Sequence, residues 1–140
     1  MKHLILCFIL ALAPLTATAQ ESTITTAQED TIAEAIMGQF NAFEAGDIDS
    51  AFAYASPGIQ GYFLTAENFA RMVRTGYGVM YENETVQLTD QRQSGILVIQ
   101  KVLVIDTHRV PHAFEFEMIE TRHGWKINGV HRLAAPAFEL

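Results

Sequence analysis

The spacing of hydrophobic residues changes once along this chain, from a period of about 3.6 residues to one of about 2. That single change limits what the chain can fold into. Ile32, Ala35, Ile36, Gln39, Phe40 and Phe43 form one helical stripe. Thr26 and Glu29 stand at capping-box spacing before it, and Gly46 offers a left-handed stop after it. Asp47 can cap a short second helix carrying Ile48, Ala51, Phe52 and Tyr54, which Ser56-Pro57-Gly58 ends. After a loop through Gly61, Thr65 opens a third helix bearing Phe69, Met72, Val73 and Tyr77. From Val79 the alternation is that of strands. Residues 79–90 read as a polar edge strand, and residues 96–105 as a strand apolar on both faces. Residues 112–121 alternate Phe114, Phe116 and Met118 with Glu115 and Glu117. Trp125 to Ile127 starts a last strand that Asn128-Gly129 can bulge. Helices first and strands second predict an α+β fold, with three N-terminal helices packed on a curved four-stranded antiparallel sheet.

The first residues stand apart from this pattern. Met1-Lys2-His3 is a short positive region, Leu4 to Leu15 is almost purely apolar, and Ala17-Thr18-Ala19 is the small-x-small pattern cut by signal peptidase. The apolar stretch, about 16 residues, is shorter than the roughly 20 that a spanning helix needs. Cys7 lies inside it, where lipoprotein processing does not act. The reading is a signal peptide over 1–19, a flexible leader over 20–26, one domain over 27–133 and a tail over 134–140. The localisation expected is periplasmic or secreted, with no stable membrane insertion after cleavage.

Cleavage removes Lys2 and the only cysteine, so the remaining domain must be held by packing alone. The whole chain of 140 residues has a formal net charge of −7, which argues against nucleic-acid binding. The charge is uneven. Residues 20–70 carry eight acids and no Lys or Arg, whereas residues 71–140 carry eight of each. A solvated outer helix face accounts for the acidic half.

Several segments together carry a family likeness: Ala51-Phe52-Ala53-Tyr54-Ala55-Ser56-Pro57, Phe69-Ala70-Arg71-Met72-Val73, and Gly76-Tyr77 with Val79 and Tyr81. Gln100 within its apolar strand and Gly124-Trp125-Lys126-Ile127-Asn128-Gly129-Val130 complete it. Over roughly residues 28–133 the chain resembles a bacterial domain-of-unknown-function family of the nuclear transport factor 2-like (SnoaL-like) superfamily. The resemblance implies a cone-shaped fold with a pocket, and homodimers packed through the sheet. It implies no activity, because the superfamily includes isomerases, dehydratases and inert assembly proteins alike. Thr107-His108-Arg109-Val110-Pro111 departs from the family, which has a glycine-type hairpin at that turn.

The candidate chemistry follows from the residues expected in the cone. Tyr54, Phe63, Phe69, Met72, Tyr77, Gln100, Phe116 and Trp125 are the candidate ligand-binding residues. Gln100 is the most informative, since a buried amide must find hydrogen-bond partners, either in a pocket or in a solid core. Pocket isomerase or dehydratase chemistry needs an inward carboxylate base. Glu115 and Glu117 fall on the outer face, and Asp47 and Asp49 read as helix caps, so no base is identified. His108, His112 and His131 are candidate metal ligands at one rim if His131 pairs with Phe114, although no HExxH-type spacing supports them. No nucleophile elbow is present. The function expected is binding of a small apolar or amphipathic ligand, or protein interaction, with a homodimer through the sheet. No cofactor or catalytic residue is assigned. Acid–base catalysis in the cone is the alternative.

Overall fold

The computed structural model describes residues 23–134. Helix α1 (Thr26–Glu44) opens with a capping box one residue earlier than the spacing suggested. Gln28 N donates to Thr25 Oγ1 at 3.3 Å, and Thr25 N donates to Gln28 Oε1 at 2.9 Å. The expected stripe is the buried face, with Ala42 added. Helix α1 closes as a Schellman motif: Gly46 N donates to Phe43 O and Asp47 N to Ala42 O, with Gly46 at φ +71. Asp47 then caps α2 (Ile48–Ala53), accepting from Ser50 N at 3.1 Å.

A helix stands where the sequence reading placed a loop. Helix α3 (Pro57–Phe63) uses Ser56 as its N-cap and Pro57 in its first turn. Proline there ends one helix and starts the next, because its missing N–H is one the first turn leaves unbonded anyway. Gly58 and Gly61 hid the element by lowering its helix propensity. Helix α4 (Ala66–Gly76) starts on Thr65, as expected. A second correction concerns the first strand. Residues 78–80 form a 3-10 turn, and β1 runs over Asn83–Ser94. Asn83 Nδ2 donates to Val79 O at 2.9 Å and holds that turn closed. Strands β2 (Leu97–Asp106), β3 (Pro111–Thr121) and β4 (Gly124–Arg132) complete an antiparallel meander in the order β1-β2-β3-β4.

The inner face of the sheet presents Val98, Val102, Val104, Phe114, Phe116 and Met118, all at most 1% exposed, to Ile32, Ile36 and Phe40 of α1. The outer face carries half-buried Leu97, Leu103, Ile105 and Ile119, crossed by the ion pair Arg92–Glu115 (2.7 Å) and a hydrogen bond between His131 and Glu117 (2.8 Å). At the α2–α3 junction the backbone joins the sheet edge. Ser56 N donates to Ile127 O, and Ile127 N donates to Tyr54 O. Ser56 Oγ donates to Asn128 Oδ1 at 2.8 Å. Among the described residues, no helix is long and apolar enough to cross a membrane.

Candidate functional site

The core does not fill the whole space between helices and sheet. Beyond Phe43, a cavity of about 290 Å³ opens between the second half of α1, helices α3 and α4, the 3-10 turn and β4. Helix α1 contributes Gln39 and Phe43, α3 contributes Ile59, Tyr62 and Phe63, and α4 contributes Phe69, Met72 and Val73. Tyr77, Met80, Ile127 and Val130 complete most of the wall. Its aromatic side is one connected group: Phe43 and Phe63 both contact Phe69, at ring separations of 6.0 and 5.6 Å.

Three polar side chains belong to the lining. Tyr77 Oη donates to Val130 O at 3.1 Å, while Arg132 stacks on the Tyr77 ring at 5.8 Å and donates to Gly76 O. That clamp ties the end of α4 to the end of β4. Gln39 is 4% exposed and donates from Nε2 to Ala51 O at 3.1 Å. Tyr62 is 80% exposed and forms the outer part of the lining. No carboxylate or histidine lines this cavity among the described residues. Close by, Tyr81 packs on Phe43 with its hydroxyl buried and without a protein partner among the described residues. Burial pushes the Tyr81 phenol above its ordinary pKa, against the pull of Arg74 over its ring.

Four of the eight residues expected in the pocket line it: Phe63, Phe69, Met72 and Tyr77. The other four do not. Phe116 is wholly buried under Phe40, in the solid part of the core. Trp125 borders a groove with Gln28 and Ile96, away from the cavity. Tyr54 lies with its ring against Gly38 of α1. Gln100 takes the solid-core alternative. Its Nε2 reaches Lys101 O at 2.8 Å and the Thr89 and Asp90 carbonyls at 3.3 Å, and its Oε1 accepts from Gln91 Nε2. Those carbonyls lie in the register shift between Leu88 and Gln91, so Gln100 serves as the internal prop of a β-bulge.

The three histidines are not brought together. A bulge at Asn128 moves the β3–β4 register by one residue, so His131 pairs with Glu115 and Arg132 takes the place opposite Phe114. A shift of one residue turns every later side chain to the other face. His131 therefore lies on the outer face against Glu117, while His112 bonds Asp106 at 2.9 Å and His108 sits in the turn. Among the described residues, no group of three or more His, Cys, Asp or Glu could hold a metal ion. At that turn Arg109 itself adopts the left-handed conformation, φ +63, that glycine enters without steric cost. Asp106 Oδ1 holds it there by accepting from His108 N and Val110 N.

Residues 25–140 match the model of a domain of unknown function, DUF4864. The chain belongs to this family. A solved structure similar to this DUF4864 chain is an NTF-2-like protein of unknown function from Burkholderia xenovorans LB400. The two are 18% identical, with a TM-score of 0.50 over 81% of this chain and 89% of that one. That likeness shows the fold: this DUF4864 domain is an NTF-2-like α+β structure. Comparison with curated proteins returns no match.

The lining residues Gln39, Ile59, Tyr62 and Val130 are not among the ligand-binding candidates read from sequence. Gln39 carried a readable signal, because an amide inside an otherwise apolar helical stripe must be buried. Ile59 and Tyr62 were hidden with α3 itself.

Proposed function

We propose that this DUF4864 domain binds a small, largely apolar molecule in the cavity beneath α3. The observation that carries the reading is a preformed apolar cavity with only a few polar groups on its wall, the usual make-up of a small-molecule site. An engineered apolar cavity of about 150 Å³ holds benzene. The 290 Å³ here corresponds to about a dozen non-hydrogen atoms by the same scaling. The exposed Tyr62 in the lining suits a ligand that enters past α3. Binding is favoured over acid–base catalysis because the wall supplies amide and phenol groups where an ionisable base would be needed.

The same reading makes the protein an exported homodimer. The pattern of residues 1–19 supports cleavage before Gln20 and a periplasmic or secreted location. The half-buried Leu97, Leu103, Ile105 and Ile119 on the outer sheet face support pairing with a second copy. Native mass spectrometry of protein recovered from its own host tests all three parts. The expected species is a dimer of chains beginning at Gln20 that releases a small neutral mass on activation. A retained Met1 would refute export by cleavage, a monomer at tens of micromolar would refute pairing, and empty protein would count against the ligand.

A further inference from the structure

We infer, building on the cavity as a ligand site, that its occupant is an uncharged molecule presenting a hydrogen-bond donor, such as a hydroxyl on an apolar body. Gln39 Oε1 is the acceptor that reads it. Gln39 is nearly fully buried on the cavity wall, and its one hydrogen bond runs from Nε2 to Ala51 O. Turning the amide over would set its carbonyl oxygen against that of Ala51, so the α2 backbone fixes which end faces it. Oε1 is thereby left without a protein partner among the described residues. An acceptor left free on a cavity wall is met by water until a ligand's donor takes the water's place.

Tyr77 offers the same polarity. Its hydroxyl hydrogen is committed to Val130 O, so only oxygen lone pairs are left for a ligand. Both polar groups deep in the wall therefore present acceptors. An anion would meet only neutral donors there, the second Nε2–H of Gln39 and the Tyr62 hydroxyl, and no cation among the described residues of the wall, since Arg132 is held by Gly76 O and His112, and Arg74 lies over Tyr81. An ammonium would find acceptors but no carboxylate to offset its burial. A neutral donor is the chemistry that fits.

The test is a matched series measured by calorimetry on the purified protein: para-butylphenol, para-butylanisole, para-butylbenzoate and para-butylbenzylammonium. The phenol, the one neutral donor, is expected to bind about three- to tenfold tighter than the ether, with both ions weaker than either. Gln39→Met is expected to bring the phenol and the ether within about twofold of each other. If that variant does not fold, the wild-type series alone decides the ligand class. Equal binding of phenol and ether, or tightest binding of an ion, overturns the inference and leaves the cavity standing as a site. A phenol preference that survives in Gln39→Met overturns the role of Gln39. Binding by none of the four would instead remove the ligand-site reading on which the inference rests.

Discussion

Gly38 lies in the interior of α1, where replacing glycine by alanine ordinarily stabilises a helix by about 1 kcal/mol. Here the sign is expected to reverse. A methyl group at position 38 would fall on the ring and hydroxyl of Tyr54, much closer than van der Waals contact allows. The neighbouring backbone cannot move away cheaply, because Tyr54 O and Ser56 N are both bonded to Ile127 of β4. The ring must leave its seat instead. Uncovering about 100 Å² of a partly buried tyrosine costs on the order of 2–3 kcal/mol. Gly38→Ala should then destabilise the protein by about 1–2 kcal/mol, after the helix gain is subtracted. In a Tyr54→Ala background the obstacle is gone, and the same substitution should stabilise by about 1 kcal/mol. Urea denaturation of the four proteins, followed by circular dichroism, closes the double-mutant cycle with a coupling of about 2–3 kcal/mol. If Gly38→Ala has the same sign in both backgrounds, the steric argument is wrong.

Three further outcomes follow from the structure. Arg109→Gly should stabilise the β2–β3 turn by about 1 kcal/mol, because glycine adopts φ +63 without steric cost; an unchanged or lower denaturation midpoint would contradict this. The His112 hydrogen bond and the Val110 and His108 amides hold Asp106 below the ordinary carboxylate pKa. A carboxylate depressed on folding stabilises above its unfolded value and loses that contribution as pH falls through the folded one. The stability gap between wild type and Asp106→Asn should therefore close as pH drops below about 4, and a gap constant from neutral to strongly acidic pH would refute the pairing. Gln100→Leu strips the Leu88–Gln91 bulge of its internal amide and should cost about 2–3 kcal/mol by urea denaturation, whereas a loss under about 0.5 kcal/mol would deny it that role.

The elements that sequence revealed are those in which one physical preference dominated. The buried stripe of α1, its stop at Gly46, and the caps at Asp47 and Thr65 all lay in periodicity or capping chemistry. What was hidden was decided by tertiary bonds. Helix α3 has two glycines in seven residues, and its start is fixed by Ser56, which also bonds Asn128 far along the chain. The end of β1 turns Gln91 and Gln93 inward, so the alternation that would mark a strand is absent after Leu88. The two buried amides show the same limit at the site. Each was readable as an amide in apolar surroundings, yet only the fold shows that Gln100 is satisfied by the sheet while Gln39, on the cavity wall, bonds through its nitrogen to Ala51 O.

The single extra residue at Asn128 makes β4 a strand of two parities. Before it, Ile127 belongs to the core; after it, Val130 turns its side to the cavity and its carbonyl to Tyr77. Loss or gain of one residue between them would turn Gly129 and His131 inward in place of Val130 and Arg132 and part Tyr77 from its acceptor. Relatives that keep this pocket should therefore vary in length at the hairpin before Gly124 or beyond Arg132, and not inside the strand. Length, more than composition, is what this stretch of the chain cannot change.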